Sequence, residues 1–94
     1  MFQNDVASVT PLPDRALALT FEDGVRATLS LDKIVKSYEG IFAPLLDDAF
    51  FRQVRVDHEL GTVIWPNGAD ICPDVLYSFA LGRPLLISNA ISKI

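Results

Sequence analysis

A chain of 94 residues has room for one domain, and 50% hydrophobic against 21% charged residues is the composition of a globular protein, not of a disordered one. Twelve Asp and Glu against eight Lys and Arg give a net charge of −4 and a pI near 4.6, which argues against nucleic acid as a partner because affinity for phosphate comes largely from basic side chains. A domain this short buries only about two-thirds of the surface its unfolded chain exposes, so a mean hydropathy of +0.30 predicts that some apolar surface stays outside.

In chain order, residues 6–10 read as a weak first strand ended by Pro11-Leu12-Pro13-Asp14. Residues 16–21 and 25–29 alternate apolar and polar with period two and form a hairpin. A two-residue turn at Asp23-Gly24 would set Phe21 opposite Arg26. A three-residue loop sets Phe21 opposite Val25, Leu19 opposite Ala27 and Leu17 opposite Leu29, with Gly24 free to take the left-handed position. Next, Ser30 can cap a helix over residues 31–38, where Leu31, Ile34, Val35 and Tyr38 share a face and Gly40 follows the end. Asp47 can cap a second helix over residues 48–52, with Leu46 stapled against Phe51.

Residues 54–57 and 62–65 then form a second hairpin. A four-residue loop pairs Val56 with Val63 and Val54 with Trp65, whereas a three-residue loop would set Val63 against Asp57. Pro66-Asn67-Gly68 makes a tight turn, and residues 69–71 return as a third strand with Ala69 beside Trp65 and Ile71 beside Val63. A third helix starts at Pro73 and ends at Gly82, with Val75, Leu76, Phe79 and Ala80 facing inward. The predicted fold is α+β: two antiparallel β-meanders or hairpins with three short helices packed on the sheet, in the order ββ(β)-α-α-βββ-α. Residues 1–82 make the single domain. Residues 83–94 form an apolar tail that contains no acid and two of the eight bases. If helical, the tail lines up Ile87, Ala90, Ile91 and Ile94, so Leu85, Leu86, Ile87, Ile91 and Ile94 are candidate interface residues, docked on the domain or on a partner.

Cys72 is the single cysteine, so no internal disulfide can form, and a reducing cytoplasm is the simpler compartment. Residues 1–5 lack the basic and apolar pattern of a signal peptide, and no apolar run approaches the roughly 20 residues that span a bilayer.

Few residues suggest chemistry. Asp57-His58-Glu59 has metal-ligand residue types, but neighbours in a hairpin tip rarely converge on one ion, and the run reads as a solvated turn. Cys72 precedes a helix start, where the dipole favours a thiolate, yet Asp74 follows it and the one histidine is His58, so it reads as a half-buried spectator. Trp65, Asn67 and Asp70 are the candidate binding residues: Trp65 as an aromatic anchor, the others as polar partners. Their alternative reading is a core Trp, a turn Asn and a surface Asp within diagonal reach of Arg55. No catalytic residue, metal ligand or cofactor site is predicted.

The runs Phe21-Glu22-Asp23-Gly24, Ile41-Phe42-Ala43-Pro44-Leu45-Leu46-Asp47, Val54-Arg55-Val56-Asp57-His58-Glu59-Leu60-Gly61-Thr62-Val63-Ile64-Trp65-Pro66-Asn67-Gly68-Ala69-Asp70 and Pro73-Asp74-Val75-Leu76-Tyr77 resemble the bacterial domain-of-unknown-function family numbered 2442 over most of residues 5–80. The resemblance implies a small α+β bacterial domain with no assigned activity. It also implies genes lying beside another small protein in arrangements that look like toxin–antitoxin pairs, and occasional fusion to a helix-turn-helix.

Two functions are therefore weighed. The first is a cytosolic protein-interaction module, a homo-oligomer or the accessory or antitoxin-like half of a pair with a small basic protein, whose charge would suit the acidic body. The alternative is a small-ligand or enzymatic site around Trp65, Asn67 and Asp70.

Overall fold

The computed structural model describes residues 4–82. Strands β1 (Val6–Leu12), β2 (Ala16–Phe21) and β3 (Arg26–Ser30) form an antiparallel sheet in the order β1-β2-β3. Leu17 pairs with Leu29 and Leu19 with Ala27, and the Phe21 N–H donates to the Val25 carbonyl at 2.8 Å. This is the register that keeps Leu17, Leu19, Phe21 and Leu29 on one buried face. Gly24 closes the loop at a φ of 92°, where a residue with a Cβ would be strained.

Strand β1 runs on through Pro11, where the sequence predicts a stop. The reason lies in the ladder. Backbone groups alternate in direction along an antiparallel strand, and the Phe21 to Val25 bond fixes those of Leu17 and Leu19 toward β3. Ala16, Ala18 and Thr20 therefore face β1, opposite Leu12, Thr10 and Ser8. Pro11 points its nitrogen to the outer edge, where a missing N–H costs no ladder bond.

In the second sheet β4 (Arg55–Asp57) pairs with β5 (Thr62–Ile64), Val56 lying opposite Val63 as the four-residue loop requires. Residues 69–71 return in the expected register but form a single bridge, Ile64 to Asp70, instead of a third strand. The Trp65 N–H donates to the Ala69 carbonyl at 2.9 Å. Beyond that, the Thr62 hydroxyl donates to the Ile71 carbonyl, so a side chain replaces the next backbone rung.

The first two helices are shorter than expected. Helix α1 (Leu31–Ile34) ends at an extended Val35 (φ −92°, ψ 109°), in keeping with the poor helix propensity of β-branched Ile34 and Val35. Helix α2 (Asp48–Phe51) is one turn, and neither Ser30 nor Asp47 makes a side-chain cap bond. Between them residues Gly40–Leu46 coil into a 3-10 segment around Pro44 that the sequence pattern did not reveal. It buries Leu45 and leaves Leu46 53% exposed, which argues against the expected Leu46 staple. Helix α3 (Pro73–Leu81) has its predicted limits, and Gly82 ends it in the left-handed conformation. Its Leu76 is buried, but Phe79, expected inward, is 39% exposed. Tyr77 turns in instead, meeting Phe21 edge to face with ring centres 5.1 Å apart.

Both sheets and all three helices share one core. Val6, Leu19 and Phe21 from the first sheet join Val63, Trp65 and Ile71 from the second, closed by Leu31, Leu45, Phe51 and Leu76. Gly61 links the two sheets by accepting the Val6 N–H at 2.9 Å. The candidate interface residues Leu85, Leu86, Ile87, Ile91 and Ile94 lie outside the described residues.

Candidate functional site

The tight turn after β5 places Trp65, Asn67 and Asp70 in three different environments. Trp65 is 1% exposed. Its indole N–H donates to the Phe51 carbonyl at 2.9 Å, and its ring lies 6.0 Å from that of Phe51. A buried aromatic with its polar atom satisfied is a core element; it presents no face to solvent. Asn67 is exposed and fastens the turn from both ends: Oδ1 accepts the Ala69 N–H at 3.1 Å, while Nδ2 donates to the Ile41 carbonyl at 2.9 Å. That second bond ties the turn to the 3-10 segment. Asp70 is exposed and bridges Ile64 through its backbone; the ion pairs among the described residues, Arg15 with Asp32 and Arg52 with Asp48, do not include the expected partnership with Arg55. The turn thus joins Trp65 and Asn67 in support of the same packing.

The other candidate chemistry resolves similarly. Asp57 accepts the backbone N–H groups of Glu59 and Leu60 at 2.9 and 3.1 Å, so it shapes the hairpin tip that carries His58. Cys72 is exposed, not half-buried. Among the described residues no group of three His, Cys, Asp or Glu side chains could hold a metal ion.

Sequence reasoning missed a cluster at the β1–β2 turn. Asp14 and Arg15 both take positive φ, 62° and 55°, a conformation that costs non-glycine residues about 1–2 kcal/mol each. Arg15 is held there from two directions. Its carbonyl accepts the Leu31 N–H at 2.8 Å, and its guanidinium forks onto Asp32 at 2.9 and 3.1 Å and lies over the Tyr38 ring at 5.5 Å. The Tyr38 hydroxyl donates to the same carboxylate. The two donors, Arg15 first and Tyr38 second, hold the Asp32 carboxyl down at about 2. Partial burial, then the bond to Asp32, pushes the Tyr38 phenol up to about 12. With its Nε–Nη2 edge forked onto Asp32 and its face over the Tyr38 ring, Arg15 acts as a clamp that pins α1 to the turn. Its single sequence signal was the pair Asp14-Arg15 after Pro13, in a turn that has no glycine.

A second clamp fixes the other end of the sheet. Asp23 accepts the Val25 N–H at 3.0 Å and the Tyr77 hydroxyl; these bonds, Tyr77 first, lower its carboxyl below the ordinary value. The hairpin tip is thereby anchored to α3.

Among the described residues, what remains uncovered is the outer face of the first sheet. This face carries Ser8, Thr10, Ala18, Thr20, Arg26 and Thr28 around a shallow depression of about 450 Å³, and β3 forms one edge of the sheet, with no strand beside it among the described residues. Outside the packed core, Ile41, Leu46, Leu60 and Phe79 are large apolar side chains left exposed. No helix among the described residues is long and apolar enough to cross a membrane.

Residues 6–82 match the model of the family described as Protein of unknown function (DUF2442). No curated protein and no solved structure gives a significant match.

Proposed function

We propose that this chain, which belongs to the DUF2442 family of proteins of unknown function, is a protein-interaction module working in the bacterial cytoplasm through its first sheet, as a homo-oligomer or as the accessory half of a two-protein system. The observation that carries this reading is the β3 edge, unpaired among the described residues, beside an open sheet face. The side chains with chemical potential are otherwise engaged: Trp65 in the core, Asn67 in the turn, Arg15 and Tyr38 on Asp32. Exposed Ile41, Leu46, Leu60 and Phe79 add apolar surface of the kind that partners cover. The net charge of −4 suits a basic protein where the partner is not a second copy.

Two fractions of a bacterial lysate test this. The chain alone, or with the protein fraction, should form a complex of fixed stoichiometry in native mass spectrometry, while the small-molecule fraction leaves Trp65 emission unchanged. A chain that stays monomeric, acquires no protein and shifts its Trp65 emission with small molecules would overturn the proposal in favour of a ligand site.

A further inference from the structure

The two edges of the first sheet are built differently. The β1 edge is obstructed along its length: a register irregularity lies between Val6 and Ser8, the Val6 N–H is consumed by Gly61, and Pro11 presents no donor. The β4–β5 hairpin also packs against β1. Bulges, prolines and covering segments are the usual means by which proteins stop strands from pairing at an edge. Among the described residues, strand β3 has no register irregularity, no proline and no strand paired along its outer edge. Its register with β2 directs the backbone groups of Val25, Ala27 and Leu29 inward and those of Arg26, Thr28 and Ser30 outward. Among the described residues, no hydrogen bond reaches the outward N–H or C=O of Arg26 or Thr28. Both side chains are exposed.

We infer that this edge pairs with the same edge of a second copy, antiparallel about a two-fold axis at Thr28, so that two three-stranded sheets become one continuous sheet. The inference rests on the interaction-module reading above and names its partner. The sequence of β3 is self-complementary in this arrangement: Thr28 faces Thr28 of the other copy, a favourable cross-strand pair, and Arg26 faces Ser30, so no like charges are opposed. Thr28 exchanges N–H and carbonyl with its counterpart. Each Ser30 N–H reaches the opposing Arg26 carbonyl, giving about four backbone bonds in all; the Ser30 carbonyl is turned to the start of α1. A five-residue strand edge buries far less than the roughly 800 Å² per partner of a standard interface. The dimer is accordingly weak, with a dissociation constant on the order of 0.1 mM.

Sedimentation velocity of the full chain from about 1 μM to about 1 mM reads this directly, with a concentration-dependent shift from monomer to dimer expected. Thr28→Pro removes the outward donor without breaking a β2 bond, and Thr28→Lys opposes two cations at the axis. Either should weaken association at least about tenfold with an unchanged circular dichroism spectrum, and Thr10→Lys, on β1, should leave it intact. The second Thr28 variant serves where the first unfolds. Monomer throughout the concentration range, or a dimer indifferent to both Thr28 variants, would overturn the proposal. If the chain is monomeric yet captures a different protein, and Thr28→Pro abolishes that capture, the self-pairing fails while the interaction-module reading stands.

Discussion

Replacing Gly61 with Ala tests how the two sheets are joined. Gly61 is buried at a φ of 71°, accepts the Val6 N–H and donates to the Asp57 carbonyl at 2.8 Å. A Cβ there would stand 2.4 Å from Asp5 Oδ1 and 2.6 Å from its Cγ, distances at which one group must move. The left-handed backbone costs Ala about 1–2 kcal/mol, and displacing the Asp5 carboxylate from a packed junction adds about 1–2 kcal/mol. The expected loss is about 3 kcal/mol, or a fall in Tm of about 15 °C for a domain of this size. Gly24→Ala is the matched control: φ is 92°, but nothing lies within 4 Å of the added carbon, so strain alone applies. Urea denaturation of Gly61→Ala, Asp5→Ala and the double variant completes the test, because the cycle subtracts whatever Asp5 contributes through its own interactions. A coupling of about 1 kcal/mol or more is expected. Equal losses for Gly61→Ala and Gly24→Ala, with no coupling to Asp5, would refute the close junction.

Trp65→Phe should cost about 2–4 kcal/mol, since it opens a cavity and leaves the Phe51 carbonyl with the longer 3.3 Å bond from the Val54 N–H alone; thermal unfolding checks this, and a loss below about 0.5 kcal/mol would place Trp65 outside the core. The Asp32 carboxyl should titrate near 2 in a carbon-detected NMR experiment and return toward 3.8 in Arg15→Met. Its folded value lies below its unfolded one, so the stability it confers is present above about pH 4 and is lost as the pH falls through about 2. Tyr38 works in the opposite sense. Its value is raised from 10.0 to about 12, so its contribution is present below pH 10 and is lost as the pH climbs through about 12, which absorbance at the phenolate band follows.

Side-chain register carried much of this architecture in advance. Keeping Leu17, Leu19 and Phe21 on one face admits a single loop length at residues 22–24, and setting Val63 opposite Val56 does the same at residues 58–61. Pro73 and Gly82 mark α3 because each is a local backbone constraint. The segment from Val35 to Leu46 was not legible, because its shape follows from long-range partners: Asn67 holds Ile41, and Asp32 draws in Tyr38. Phe79 lies outward, against its helical spacing, for a related reason. Helical spacing alone places Phe79 inward, but the Tyr77 hydroxyl has a carboxylate waiting on the hairpin tip, and its ring packs against Phe21. The candidate site followed the same division. Trp65, Asn67 and Asp70 were conspicuous as residue types, whereas the open edge of β3 is a property of strand order, which no short motif encodes.

The most direct test of the central claim, that β3 is a pairing edge, is amide hydrogen exchange at Thr28 measured at several chain concentrations. The Ala27 and Leu29 amides point into the sheet and should be protected equally at every concentration. The Thr28 amide should exchange freely when dilute and gain protection as the concentration approaches about 1 mM, in step with dimer formation. A Thr28 amide that exchanges at the same unprotected rate throughout would contradict the account.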